Sequence, residues 1–177
     1  EARWAVFFDA LQVAYQYEPE GYVLPSGYYL PDFWIPAWGR FVEIKPVLPT
    51  DGEQRSAREL ASATGQGLLM LVGQPWPKEH RIIQFPPDDE NVVQWLDGSW
   101  SRGPDREWDE FCDCRRCDGV SVMIDDDARG RWGWAEVGRH SCGDRNERAP
   151  LSALDEFAPR MLAAYTAARR ARFEHKR

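Results

Sequence analysis

Residues 68–72 read Leu-Leu-Met-Leu-Val, an unbroken apolar run that follows a helix-patterned segment ended by Gly65 and Gly67. A strand that is apolar at every position must be covered on both faces, and such strands belong to sheets held between helices. The helix before it is marked locally. Thr50 or Asp51 can cap it, Glu53 lies in its first turn, and it runs to about Ala63. Ahead of the helix, Arg40–Lys45 alternates, with Phe41, Glu43 and Lys45 on one face and Val42 and Ile44 on the other; Pro46 and Pro49 close it. Strand, helix, buried strand is the pattern of a parallel pair joined by a crossover, and so of an α/β core.

The remaining segments extend that core. Trp4, Phe7, Phe8, Leu11 and Tyr15 recur at helical spacing over residues 2–16. Pro19, Gly21 and Pro25 break the helix. Tyr22–Leu24 and residues 28–35 read as the arms of a hairpin about Pro25-Ser26-Gly27, and His80–Phe85 as a further strand. Residues 1–87 therefore form the expected α/β core. Residues 88–110, rich in Pro, Asp, Gly and Trp, read as a linker or surface excursion. Residues 111–150 hold all four cysteines and strands near 120–124 and 132–137. Residues 151–177 read as a basic C-terminal helix with Leu154, Phe157, Met161, Leu162 and Tyr165 on or near one face, and with Pro159 as a kink or the true start. No internal repeat is visible.

Apolar residues make up 43% of the chain, enough to bury a core, which excludes disorder over its whole length. No apolar run approaches the roughly 18 residues of a membrane span. The first residues read as amphipathic helix rather than as a signal peptide, so a cytoplasmic protein without membrane association is expected. The absence of an initiator Met points to numbering that begins inside a longer chain or after processing.

The net charge of −7 argues against broad nonspecific nucleic-acid binding. It is unevenly spread: −3 over residues 1–87, −9 over 88–127 and +5 over 128–177. The acidic middle suits a protein partner or an autoinhibitory element. The basic end, with Arg160, Arg169, Arg170, Arg172, Lys176 and Arg177, suits either a helix C-terminus or phosphate contacts.

The chemistry is concentrated at Asp32, Glu43 and Lys45. Glu43 and Lys45 lie two apart on a strand and so share a face, and antiparallel pairing can set Asp32 beside Glu43. Two carboxylates at one point repel unless a cation joins them, and Mg²⁺ is a hard cation that takes such oxygen ligands. A neighbouring lysine can orient or activate the attacking water and offset charge building on phosphorus.

Pro31-Asp32, ten intervening residues and Glu43-Ile44-Lys45, on successive strands after an N-terminal helix, resemble the PD-(D/E)xK nuclease superfamily. The resemblance covers about residues 1–73. It implies a restriction-endonuclease-like α-β-β-β-α-β core and Mg²⁺ (or Mn²⁺) held by Asp32 and Glu43. It also implies a Lys45-assisted hydrolysis of phosphodiester bonds, in DNA. It further implies a metal-completing glutamate on the first helix, for which Glu1 is the candidate, and a polar residue from the following helix, for which Gln54, Arg55 and Arg58 all stand.

Cys114 and Cys117 have the C-x-x-C spacing of a metal knuckle, and His140 and Cys142 can supply the other half. The set Cys114, Cys117, His140 and Cys142, with Cys112 as alternate, would hold a structural Zn²⁺ and staple a small β module that resembles a treble-clef or ribbon in general form. Disulfides or free thiols are the other readings; with no secretion signal visible, disulfides are disfavoured. Asp125, Asp126 and Asp127 lack calcium-loop spacing and read as a solvated turn. Arg115, Arg116, Arg129, Arg131, Arg139, Arg145 and Arg148 surround the cysteine module as phosphate contacts or as a solvated face.

The sequence thus points to an Mg²⁺-dependent nuclease with a zinc-stabilised appendage, nucleic acid as partner and homodimerisation left open. A noncatalytic module that binds nucleic acid or protein on the same fold is the alternative. A two-carboxylate carbohydrate hydrolase ranks last, because it gives Lys45 no role.

Overall fold

The structure, a computed structural model, describes residues 1–76, 79–87, 110–113, 120–125, 134–137 and 159–173. Helix α1 (Ala2–Ala10) buries Trp4, Phe7 and Phe8. It is shorter than the periodicity predicts. Gln12 adopts φ 56, Val13 N–H donates to the Phe8 carbonyl (2.9 Å) and Gln12 N–H to that of Asp9 (3.0 Å). Those two bonds form a Schellman stop, here built on Gln rather than Gly. Tyr15 reaches the core from beyond the helix, its ring 5.9 Å from Phe8 and 5.2 Å from Phe33.

Strand β1 (Gln16–Tyr17) precedes a hairpin of β2 (Tyr22–Leu24) and β3 (Gly27–Tyr29), which pairs Tyr22 with Tyr29 and Val23 with Tyr28. The expected long second arm is split. Pro31 has no N–H to give to a ladder, the chain bends at Asp32, and β4 (Phe33–Ile35) starts afresh in a different sheet. Strand β5 (Arg40–Lys45), helix α2 (Asp51–Thr64), β6 (Gly67–Gly73) and β7 (His80–Phe85) follow.

The main sheet runs β1-β4-β5-β6-β7. Strands β5 and β6 are parallel, joined through α2, and the other neighbours are antiparallel. The α2 boundaries follow the local signals. Thr50 and Glu53 form a reciprocal capping box, and Gly65 closes the C-terminus at φ 65.

Both faces of the sheet are covered. Leu69 and Leu71 of β6 pack with Trp4, Phe7, Phe8, Phe33, Ile35 and Val42 on one side. Leu68, Met70 and Val72 pack with Phe41, Ala57, Leu60, Ala61 and Phe85 on the other. The unbroken apolar run is therefore a central strand buried on both sides.

The described C-terminal helix is α3 (Pro159–Arg170); Leu154 and Phe157 lie outside the described residues. It is no appendage: Met161, Ala164, Tyr165 and Ala168 are buried in the same core as α1. Leu162, expected near that face, is instead 45% exposed.

Strands β8 (Glu110–Asp113), β9 (Val120–Asp125) and β10 (Trp134–Val137) make a separate antiparallel sheet, ordered β10-β9-β8. It is tied to the core where Trp38 Nε1 donates to the Val120 carbonyl (2.8 Å). Cys112 falls on β8, and the other zinc candidates, Cys114, Cys117, His140 and Cys142, lie outside the described residues. So do most of the expected linker and Asp126 and Asp127. No helix among the described residues is long and apolar enough to cross a membrane.

Gly73, at the end of β6, has φ 98, and a Cβ there would run into the backbone carbonyl of Glu79. Its own carbonyl accepts from Trp4 Nε1 at 3.1 Å. Gly73→Ala is expected to destabilise the fold by about 2 kcal/mol, read as a lowered urea midpoint.

Candidate functional site

The register of β4 against β5 pairs Phe33 with Val42, so Asp32 arrives beside Glu43 as the chain enters β4. The Ile44 N–H donates to Asp32 Oδ2 at 2.7 Å, which pins the carboxylate over β5. Glu43 and Phe41 face the α2 side of the sheet, and Lys45 shares that side with them. Lys45 Nζ lies 3.1 Å from Glu43 Oε1 and 2.8 Å from Glu53 Oε1.

The electrostatics are those of crowded acids. Burial, and then the Glu43 carboxylate, push Asp32 up to about 7, against the pull of the Ile44 N–H. Burial also pushes Glu43 up, opposed by Lys45 and by the Tyr29 hydroxyl. Burial works against the Lys45 ammonium, but Glu53 and Glu43 outweigh it, so Lys45 titrates above its ordinary range. The Lys45 ammonium, with Thr50 behind it, holds Glu53 down at about 2. Tyr29, on β3, is pushed well above the ordinary phenol range by burial and by Glu43. The Tyr29 hydroxyl lies near enough to favour the Glu43 carboxylate, but neither Tyr29 Oη nor Glu43 Oε2, both buried, has a partner at hydrogen-bonding geometry among the described residues.

Asp32, Glu43 and Lys45 are thus brought together. Glu1 comes within electrostatic reach of Asp32, but its Oε2 accepts from the Tyr17 hydroxyl at 2.9 Å. Among the described residues no group of three or more His, Cys, Asp or Glu side chains is arranged to hold a metal ion. From α2, Gln54 donates to the Pro49 carbonyl (3.2 Å) and accepts from Arg58 (3.2 Å), while Arg55 is exposed. The α2 residue that touches the site is Glu53. Sequence reading places it only as a first-turn acid. Tyr29 is likewise missed, because an aromatic in a hairpin strand is ordinary. The one local hint was the Thr50-x-x-Glu53 pattern, which fixes where the Glu53 side chain goes.

The molecule is a mixed α/β protein whose central sheet presents two carboxylates and a lysine at one point. Comparison with family models, with curated proteins and with solved structures gives no match.

Proposed function

We propose that this chain is a metal-dependent nuclease that hydrolyses phosphodiester bonds, in DNA, through Asp32, Glu43 and Lys45. The observation that carries this reading is the meeting of buried Glu43 and half-buried Asp32 with a lysine at one point on the sheet. The order of elements supports it. Helix α1, the antiparallel strands β1, β4 and β5, helix α2, and β6 parallel to β5 follow the succession expected of a restriction-endonuclease-like core.

The donor set fits a hard divalent cation. Both ligands are carboxylates, Glu43 raises the cost of ionising Asp32, and Glu43 Oε2 is a buried oxygen that the described residues leave without a hydrogen bond. Asp32 and Glu43 would hold Mg²⁺ or Mn²⁺, with Glu1 as third acid. The cation supplies Lewis acidity and activates water. Lys45, kept as an ammonium by two carboxylates, serves as a fixed positive charge near phosphorus rather than as a base. A structural Zn²⁺ on Cys114, Cys117, His140 and Cys142, or with Cys112, would staple the module around β8–β10, and the arginines of the C-terminal third would contact phosphates.

The test is cleavage of single- and double-stranded DNA and of RNA by purified protein, with Mg²⁺, Mn²⁺ or chelator. Metal-dependent cleavage of DNA, lost in Lys45→Ala, is expected; equal cleavage by wild type and variant overturns the reading. One observation favours a noncatalytic binding module: Lys45 already neutralises Glu43, and no third acid joins the pair among the described residues. That reading expects no calorimetric Mg²⁺ or Mn²⁺ binding that Glu43→Gln removes.

A further inference from the structure

We propose that Glu53 is the positioning residue for the Lys45 ammonium, and that the Thr50 capping box serves the site by fixing Glu53. The inference rests on the nuclease reading for its purpose and on the α2 geometry for its substance.

The two oxygens of Glu53 divide their work. Oε2 accepts from the Thr50 backbone N–H and from Thr50 Oγ1, each at 2.8 Å, while the Glu53 N–H donates back to Thr50 Oγ1 at 3.3 Å. That completes the capping box and uses only Oε2. Oε1 is left for Lys45 Nζ at 2.8 Å, closer than Glu43 at 3.1 Å. A cap alone does not account for this second contact, since the box would close wherever Lys45 pointed.

The need for it follows from charge. Glu43 has two claims on it: the Lys45 ammonium and the cation it would share with Asp32. A divalent ion on Glu43 repels a neighbouring ammonium, and a free lysine stem has several rotatable bonds with which to swing away. Glu53 comes from a different element and has no part in the carboxylate pair. It gives Lys45 an anchor that survives when Glu43 is occupied. At the other end of the lysine stem, β5 is paired along its length with β6, with Lys45 itself opposite Val72. The ammonium is thereby held at both ends, which is the ordering that raises effective concentration at a reacting centre.

Glu53→Gln is the discriminating variant, because glutamine can still close a capping box and the helix start is retained. Asp51→Asn is its control: the same charge change in the same helical turn, at an exposed residue. The readout is the ¹⁵N signal of the Lys45 ammonium in metal-free protein at neutral pH, with its scalar coupling across the hydrogen bond to the Glu53 carboxylate carbon. Wild type and Asp51→Asn should show both. Glu53→Gln should lose both through fast exchange with water. In cleavage assays kcat should fall on the order of 10²-fold in Glu53→Gln with KM unchanged, and Asp51→Asn should match wild type. A Lys45 signal that persists in Glu53→Gln, or one lost equally in Asp51→Asn, overturns the proposal. If wild type shows the coupling but cleaves nothing, the nuclease reading fails while Glu53 stands as the residue that places Lys45.

Discussion

Asp32→Asn is expected to abolish cleavage and, in chelator, to make the protein more stable above about pH 7. The two outcomes have one cause. The Asp32 carboxyl, half-buried beside Glu43, is pushed up to about 7 from an ordinary value of 3.8. The folded chain therefore binds that proton more tightly than the unfolded chain does. Its contribution to stability is full below the unfolded value and is lost as pH rises through about 7. Asparagine keeps an oxygen for the Ile44 N–H and carries no charge, so it removes the loss. The gain over wild type should grow between about pH 4 and pH 7, level off above that, and reach on the order of 1–2 kcal/mol. The full shift would give more, but the carboxylate is still partly hydrated and screened. Cleavage should fall by about 10³-fold or more, since metal stabilisation of the transition state is worth several kcal/mol. Urea titrations at the two pH values, alongside oligonucleotide cleavage, decide it. A variant that cleaves like wild type, or whose relative stability does not change with pH, contradicts the assignment. A residue that costs stability and carries activity is the usual bargain at a functional site.

Tyr165→Ala is expected to cost about 3–5 kcal/mol, the range for emptying a large aromatic from a packed core. The ring is 1% exposed, lies 4.6 Å from Phe7, and contacts Trp76 and His80 at 6.4 and 5.9 Å. These partners sit on α1 and on and just before β7, so the side chain joins elements far apart in sequence. Leu162→Ala, on the same helix but largely exposed, should stay within about 0.5 kcal/mol of wild type. Comparing urea midpoints of the two variants tests whether α3 belongs to the main core. Equal, small losses would mean that the helix lies on the surface and adds little.

What could be read from the sequence were the elements whose limits are set locally. Thr50, Glu53 and Gly65 bracket α2 within a residue or two. The apolar alternation of β5 and the apolar run of β6 fix which strand is central, and the register that brings Asp32 to Glu43 follows from an antiparallel pair. What could not be read was set by tertiary context. A Schellman stop on Gln12 carries no glycine to announce it. The break between β3 and β4 exists because the two strands belong to different sheets, which no local pattern reports. Glu53 was hidden by sufficiency: a first-turn acid is explained by capping and by the helix dipole, so nothing asks for a second partner. The burial of α3 against α1 was hidden by distance along the chain.

That distance has a consequence for how the molecule is made. Arg160 donates to the Leu11 carbonyl, and Arg3 reaches the Arg169 carbonyl at 3.3 Å, contacts 149 and 166 residues apart in sequence. The α1 layer, with Phe7 against Tyr165, thus gains its full cover only after α3 has been translated. At ordinary elongation speeds that delay is on the order of ten seconds. During it the emerging chain can complete the α2 side but must leave the α1 side open. That asymmetry leaves apolar side chains of α1 uncovered until the last helix has been made.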